Sequence, residues 1–282
     1  MGDHYVPQFY LKGFSVAVDN DLIWVYRKGA EDAFKTAIHN IAQENRLYSR
    51  EMEEYLANIV EAPANIIIQR IRDLQVLTYE DKVTFSNYMI ALWKRVPKQK
   101  KWVRDKAPEI MNPVFERIEN ELIELGNKYP SKIGIVEKRR RELQELRNSK
   151  EDEFIYDIWL ANIPPGKTPQ SVDVLSQMTW RFLLAENEQY FITSDNPLFF
   201  FPWMGIGKKH SEVAFPITKK IALWATWRMD LSEGFFPTST QVVKEINRRI
   251  VSYSNQYIFS PCSESWIRTL ANKGTHRLNR IV

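Results

Sequence analysis

The sequence predicts an α+β fold: a sheet assembled from N-terminal and C-terminal strands, with a largely helical central region. Two observations predict it. Apolar side chains alternate with period two near the start, at Leu22, Trp24 and Tyr26, and aromatic and β-branched runs return in the last third of the chain. Between them the apolar period is close to that of a helix. With 282 residues, 44% hydrophobic and 13% aromatic, the chain can bury a core large enough for one domain, 1–282, with a helical subdomain over approximately 51–187.

Taken in order, the opening "HYVPQFYLKGFS" gathers an imidazole, aromatic rings, a proline and an amide where chain termini are usually polar, so it is expected to dock into the body of the protein. Asp19 and Asn20 are turn formers ahead of a strand at 22–26 that Gly29 closes, with its partner expected on the "YVPQFYLKGF" side. Leu56, Ile59, Val60, Ile67, Ile71 and Leu74 then form a helical face, with Pro63 marking a kink or boundary. Thr78 and Asp81 are spaced as a capping pair for a helix lined by Phe85, Met89 and Leu92 and stopped by Pro97. Pro113 is expected to start the next helix and Gly126 to end it. "EKRRRELQEL" reads as a solvated helix or one arm of a helical hairpin. After a Pro/Gly linker, residues 171–187 read as a helix with Leu175, Met178, Phe182 and Leu183 inward. "QYFIT", "LFFF", "VAFPI" and "IALWATW" follow as strands, then a helix capped by Ser239 with Val242, Val243, Ile246 and Ile250 on its face, the strand "QYIFSP" and a short terminal helix.

Composition excludes several classes. One cysteine, Cys262, rules out an internal disulfide framework and fits a reducing setting, and four scattered histidines give no structural zinc signature. No apolar run approaches a membrane span and no signal peptide is present, so a cytoplasmic location without a membrane partner is expected. The formal charge of +4 is too small to recruit a polyanion by itself. P-loop, dinucleotide-binding, zinc-protease and nucleophile-elbow motifs are absent.

Two polar constellations remain. His4 and Gln8 in the opening, and Ser194, Asp195 and Asn196 between two apolar strands, are placed where scaffolded side chains can face a cleft. Asp195 and Asn196 can equally cap a turn ahead of Pro197, and His4 can equally anchor the sheet. The second constellation is electrostatic. "KRVPKQKKWVRDK" holds seven Lys or Arg against one acid, among them Lys98, Lys100, Lys101 and Arg104, with Trp102 placed to stack on an unpaired base; Arg139, Arg140 and Arg141 follow. On one face these make a nucleic-acid strip; otherwise they are solvated helix faces.

The motifs "HYVPQFYLKGFS", "RLYSREMEEYLANIVEAPA", "LWKRVP", "FITSDNPL", "AFPITKKIAL" and "INRRIVSYSNQYIFS" resemble, in that order, the DUF4238 family of bacterial proteins, the first and fourth being the specific ones. Tyr48, Glu61, Arg95, Pro216 and Asn247 match its pattern alongside the residues above; Ser252 departs from it. The family carries no activity, but the resemblance implies a link with anti-phage defence. Read together, His4 as acid or base, Gln8 and Asn196 as hydrogen-bonding groups, Arg95 on a phosphoryl oxygen, and Asp195 with Glu61 on a divalent cation such as Mg or Mn would make a nuclease acting on RNA or DNA. The alternative is a non-catalytic sensor of a phage component or small ligand. Glu61 and Arg95 can also be a structural ion pair.

Overall fold

The structure is a computed structural model that describes residues 2–16, 21–149, 151–201 and 205–281, without the side chains of 149 and 151. The turn expected at Asp19 and Asn20 lies outside the described residues. The chain divides into two compact units, residues 1–96 with 164–282, and residues 97–163.

The first unit is the mixed α+β body. Its strands are β1 (Asp3–His4), β2 (Leu22–Arg27), β3 (Ala33–Ala37), β4 (Gln43–Glu44), β5 (Thr179–Ala185), β6 (Thr193–Ser194), β7 (Phe199–Phe200), β8 (Glu212–Pro216), β9 (Ile221–Thr226), β10 (Gly234–Thr238) and β11 (Tyr257–Ser260). One sheet runs β3-β2-β11-β6 and joins strands from both ends of the chain, as expected; a second runs β10-β5-β9-β8-β7; β1 and β4 form a separate pair. The helices of this unit are α1 (Gln8–Leu11), α2 (Arg50–Tyr55), α3 (Ala62–Arg72), α4 (Tyr79–Arg95), α8 (Pro169–Gln177), α9 (Thr240–Tyr253) and α10 (Ser265–Ala271). A π-helical turn, Leu56–Glu61, links α2 to α3.

Helix ends follow local chemistry. Thr78 accepts from the Asp81 amide while the Asp81 carboxylate accepts from the Thr78 amide, a complete capping box on α4. Ser239 accepts from the Val242 amide and caps α9, whose Val243, Ile246 and Ile250 are buried while Val242 is half-buried. In the core, Phe85 of α4 stacks near Tyr88 and meets Trp180 edge-on, and Phe215 of β8 lies 6.0 Å from Phe85.

The opening segment does dock. Tyr10 is fully buried, stacks on Phe215 at 5.1 Å, donates to the Pro216 carbonyl at 2.8 Å and hydrogen-bonds the Thr193 hydroxyl at 2.6 Å. Its backbone, however, is not a strand. Residues 3 and 4 alone pair as a strand, in register with Gln43–Glu44, and Gln8–Leu11 is helical, continuing as a 3-10 turn over Lys12–Phe14. The partners of β2 are β3 and β11 instead. Gly13 fits this docking, since a Cβ there would stand 2.8 Å from the Ile217 carbonyl oxygen.

Two further expectations are corrected. The helix expected over 171–187 ends at Gln177, and Thr179–Ala185 is an interior strand of the second sheet between β10 and β9. This strand is buried on both faces, so it has no alternation to separate it from a buried helix. The edge strand β10, which pairs parallel to β5, carries Pro237, a residue tolerated at an edge where a ladder donor is not needed.

The second unit is helical: α5 (Pro97–Lys128), α6 (Ile133–Ser149) and α7 (Glu151–Asn162). Pro113 does not start a helix. It lies inside α5 with Pro108, each costing one backbone hydrogen bond in a helix whose neighbours hold it together. Pro97 does divide α4 from α5, because Val96 ahead of it is extended.

Candidate functional site

The opening segment and the end of α4 meet at one cavity of about 240 Å³. Asp3 builds its floor: one carboxylate oxygen accepts from the Leu47 and Tyr48 amides at 2.7 and 3.1 Å, drawing residues 47–48 against β1. Pro7 then turns the chain into α1 and sets Gln8 on the cavity wall. The opposite wall is Glu53, Leu56, Ala57 and Glu61, presented by α2 and the π-helical turn. Such turns lack a local sequence signal and recur at functional sites. The last helical residue of α4, Arg95, closes the set.

Arg95 is 1% exposed. Its Nη1 donates to Glu61 Oε1 at 2.6 Å, while Nε and Nη2 are buried without a hydrogen-bond partner, as is the Tyr88 hydroxyl on the same helix. Burial works against the charge and the Glu61 carboxylate works for it; the balance lies above the ordinary arginine value, so the guanidinium stays charged. A buried donor without a partner costs on the order of 1–3 kcal/mol, more when charged. Arg95, with two such nitrogens, lines the cavity.

His4 is held below the ordinary imidazole value, chiefly by burial, and Arg95 and His39 add to that effect while a hydrogen bond to the His39 backbone and the Glu61 charge oppose it. The ring is therefore neutral near pH 7. Its Nε2 is buried without a hydrogen-bond partner. The sign of the resulting pH dependence is fixed. Below the ordinary value of 6.5 the unfolded chain takes up a proton that folded His4 refuses, so stability falls as pH drops from there through the folded value. Thermal melts between about pH 7 and 5 should show wild type losing more stability than His4→Gln. His276, lowered by its own burial, is present in both proteins and cancels; parallel curves would contradict the assignment.

The structure thus brings His4, Gln8, Glu61 and Arg95 together. It does not bring Asp195 or Asn196 to this cavity. Asp195 is 1% exposed, and its carboxylate accepts from three consecutive amides, Asn255 at 2.8 Å, Gln256 at 2.6 Å and Tyr257 at 2.8 Å. Asn196 donates to the Tyr253 carbonyl at the end of α9. Together they fasten the turn from α9 into β11, the capping alternative applied to a distant turn rather than their own. Burial raises the Asp195 pKa despite the three amides. The pairing of Asp195 with Glu61 on a Mg or Mn ion is not what these donors offer: one carboxylate is occupied by backbone amides, the other faces Arg95. Among the described residues no group of three or more His, Cys, Asp or Glu is arranged to hold a metal.

The basic residues do not form one strip. On α6, Arg140 bonds Glu119 at 2.6 Å, which sets Arg139, Arg140 and Arg141 beside the later half of α5. Lys98, Lys100, Lys101, Trp102 and Arg104 lie at its beginning, so the clusters are separated by roughly 20 Å of helix. Within the first cluster Lys100 lies over the rings of Tyr156 and Trp159, and Arg104 is 3.9 Å from Asp105; Trp102 is 56% exposed. Arg139 pairs with Glu142 at 2.6 Å. Lys94 belongs to the first unit, where burial pushes its pKa down to about 8.

Asp3, Glu53 and the π-helical turn were not read from the sequence. Asp3 adjoins His4, which is the one signal that could have drawn attention to it. The family model for DUF4238, described as a protein of unknown function, matches residues 3–263. The chain belongs to the DUF4238 family. The match spans the cavity, the Asp195 turn and both units, and stops after β11. No curated protein and no solved structure matches this DUF4238 chain. No helix among its described residues is long and apolar enough to cross a membrane.

Proposed function

We propose that this DUF4238 protein is a recognition protein of bacterial anti-phage defence whose cavity captures a small nucleotide-like ligand. The observation that carries the reading is Arg95, a charged side chain 1% exposed on a cavity wall with two nitrogens lacking acceptors. A phosphoryl or carboxyl oxygen supplies those acceptors, and the planar fork suits it. The facing carboxylates, Glu53 and Glu61, call for a ligand that also offers donors, as a nucleobase and ribose do. Gln8 can pair with either kind of group, and His4 Nε2 can make one more hydrogen bond.

A second reading, cleavage of RNA or DNA, is favoured by His4 alone. A neutral imidazole on the wall of the cavity that holds a guanidinium can take a proton from a water or a 2′-hydroxyl while Arg95 stabilises the phosphoryl oxygen. The basic residues of the second unit fall in two separate clusters, which gives this reading less support than the sequence promised.

One experiment separates the two. Purified protein is melted with inorganic phosphate, AMP and UMP, and incubated with labelled RNA and DNA with and without EDTA, beside His4→Gln. A melting temperature raised by about 5 °C at saturating nucleotide, without cleavage, is the expected result. Cleavage lost in a His4→Gln variant of equal melting temperature would replace it with the nuclease reading. No shift and no cleavage would overturn both.

A further inference from the structure

The second unit ends in an apolar tip that no part of the proposed site uses. α5 and α6 are joined by Tyr129 and a 3-10 turn, Pro130–Lys132, closed by the bonds of the Tyr129 amide to the Leu125 carbonyl and the Lys132 amide to the Tyr129 carbonyl. The helices meet closely below it: Gly126 is buried, and a Cβ there would touch Val136 at 3.4 Å. The turn is therefore braced, at the end of the hairpin opposite its two chain connections at 97 and 163.

What this turn displays is unusual for a water-facing surface. Leu125 is 46% exposed, Tyr129 42%, Ile133 50% and Ile135 65%. Exposed apolar side chains gathered at one end of a hairpin are candidates for an interaction surface. The charged residues of the turn itself are both lysines. Residues 125–135, "LGNKYPSKIGI", contain two lysines and no acid, with Glu124 and Glu137 just outside. Lys128 and Lys132 each place their ammonium 5.5 Å from the centre of the Tyr129 ring, one on either side in sequence.

We propose that the tip seats on an anionic lipid surface, with the exposed Ile133 and Ile135 of the first turn of α6 entering the acyl boundary, Tyr129 at headgroup depth and the two lysines on lipid phosphates. Each residue type matches the layer it would occupy: aliphatic chains in the boundary, an amphipathic ring at the interface, and ammonium groups against a negative surface potential. A second copy of the chain would satisfy the aliphatic groups but would bring lysine against lysine at a symmetric contact. The expectation of no membrane partner rested on the lack of a spanning segment, and seating on a surface needs none.

Flotation of the full chain with vesicles tests this. It is expected to rise with vesicles of phosphatidylcholine and phosphatidylglycerol in equal parts, and not with phosphatidylcholine alone. Ile133→Glu with Ile135→Glu should abolish flotation while leaving the circular dichroism unchanged, because both side chains are exposed. Lys128→Gln with Lys132→Gln should weaken it roughly thirtyfold. Failure to float with the anionic vesicles, equal flotation on neutral ones, or unchanged flotation of the isoleucine variant would overturn the proposal. A concentration-dependent dimer that the isoleucine variant loses, in a protein that ignores vesicles, would assign the tip to self-association instead.

Discussion

Replacing Asp195 by alanine is expected to destabilise the first unit by about 3 kcal/mol or more, because three backbone amides lose their shared acceptor at once. Those amides, at 255, 256 and 257, lead into β11, which holds β2 on one side and β6 on the other. Loosening them frees the joint between the N-terminal and C-terminal strands of the sheet. Thermal melting should fall by roughly 10 °C. Asp195→Asn keeps one acceptor but turns an amino group toward the same donors, so it should fall between wild type and alanine. If Asp195→Ala melts like wild type and loses a measurable activity, the structural role is wrong and the catalytic one returns. The expected result has a practical consequence: activity lost in this variant says nothing about chemistry unless its fold is first shown to be intact.

The second large effect is expected at Arg249, a fully buried residue of α9. Its Nη2 donates to Glu212 Oε2 and to the Asn279 carbonyl, both at 2.7 Å, its Nε approaches Glu245 Oε1 at 3.4 Å, and the rings of Phe199 and Phe201 flank it. Glu245 also pairs with Arg248, but Glu212 has no second cation among its bonds to Trp224 and the Ile281 amide. Arg249→Met should therefore cost about 3–5 kcal/mol by leaving a buried carboxylate uncompensated. Adding Glu212→Gln removes that charge and should recover a good part of the loss, which a double-mutant cycle measures. Because the same cluster anchors residues 279–281, the single variant should also be clipped near the C-terminus by a protease that spares wild type. Equal stability of Arg249→Met and wild type would remove the network from any account of what holds this chain end.

Much of the fold was legible because it depends on neighbours in sequence. The capping box of α4 lies within four residues, the Ser239 cap within four, and Pro97 acts on the residue before it. The strand at Leu22–Arg27 was legible as a bounded apolar run, although the structure buries Ile23, Val25 and Tyr26 and leaves Leu22 and Trp24 half-exposed. Thr179–Ala185 was illegible because, buried on both faces, it lacks the contrast that a period needs. Helix α5 was cut short at Pro113 by a rule about isolated helices that tertiary packing overrode.

The site divides in the same way. The sequence by itself determined that the opening segment must be seated in a core, since its aromatic rings have no other favourable place, and that His4, Gln8, Glu61, Arg95, Asp195 and Asn196 were the polar side chains to watch. Only the tertiary structure decided which of them meet. A polar side chain takes its role from whatever donors and acceptors surround it, and those come from far along the chain: Asp195 is held by amides sixty residues on, Arg95 by a carboxylate thirty-four residues back. Hydrogen-bond partners across such separations leave no period or spacing in the sequence, so Asp195 became a clamp for a turn while His4 and Arg95 came to face one cavity.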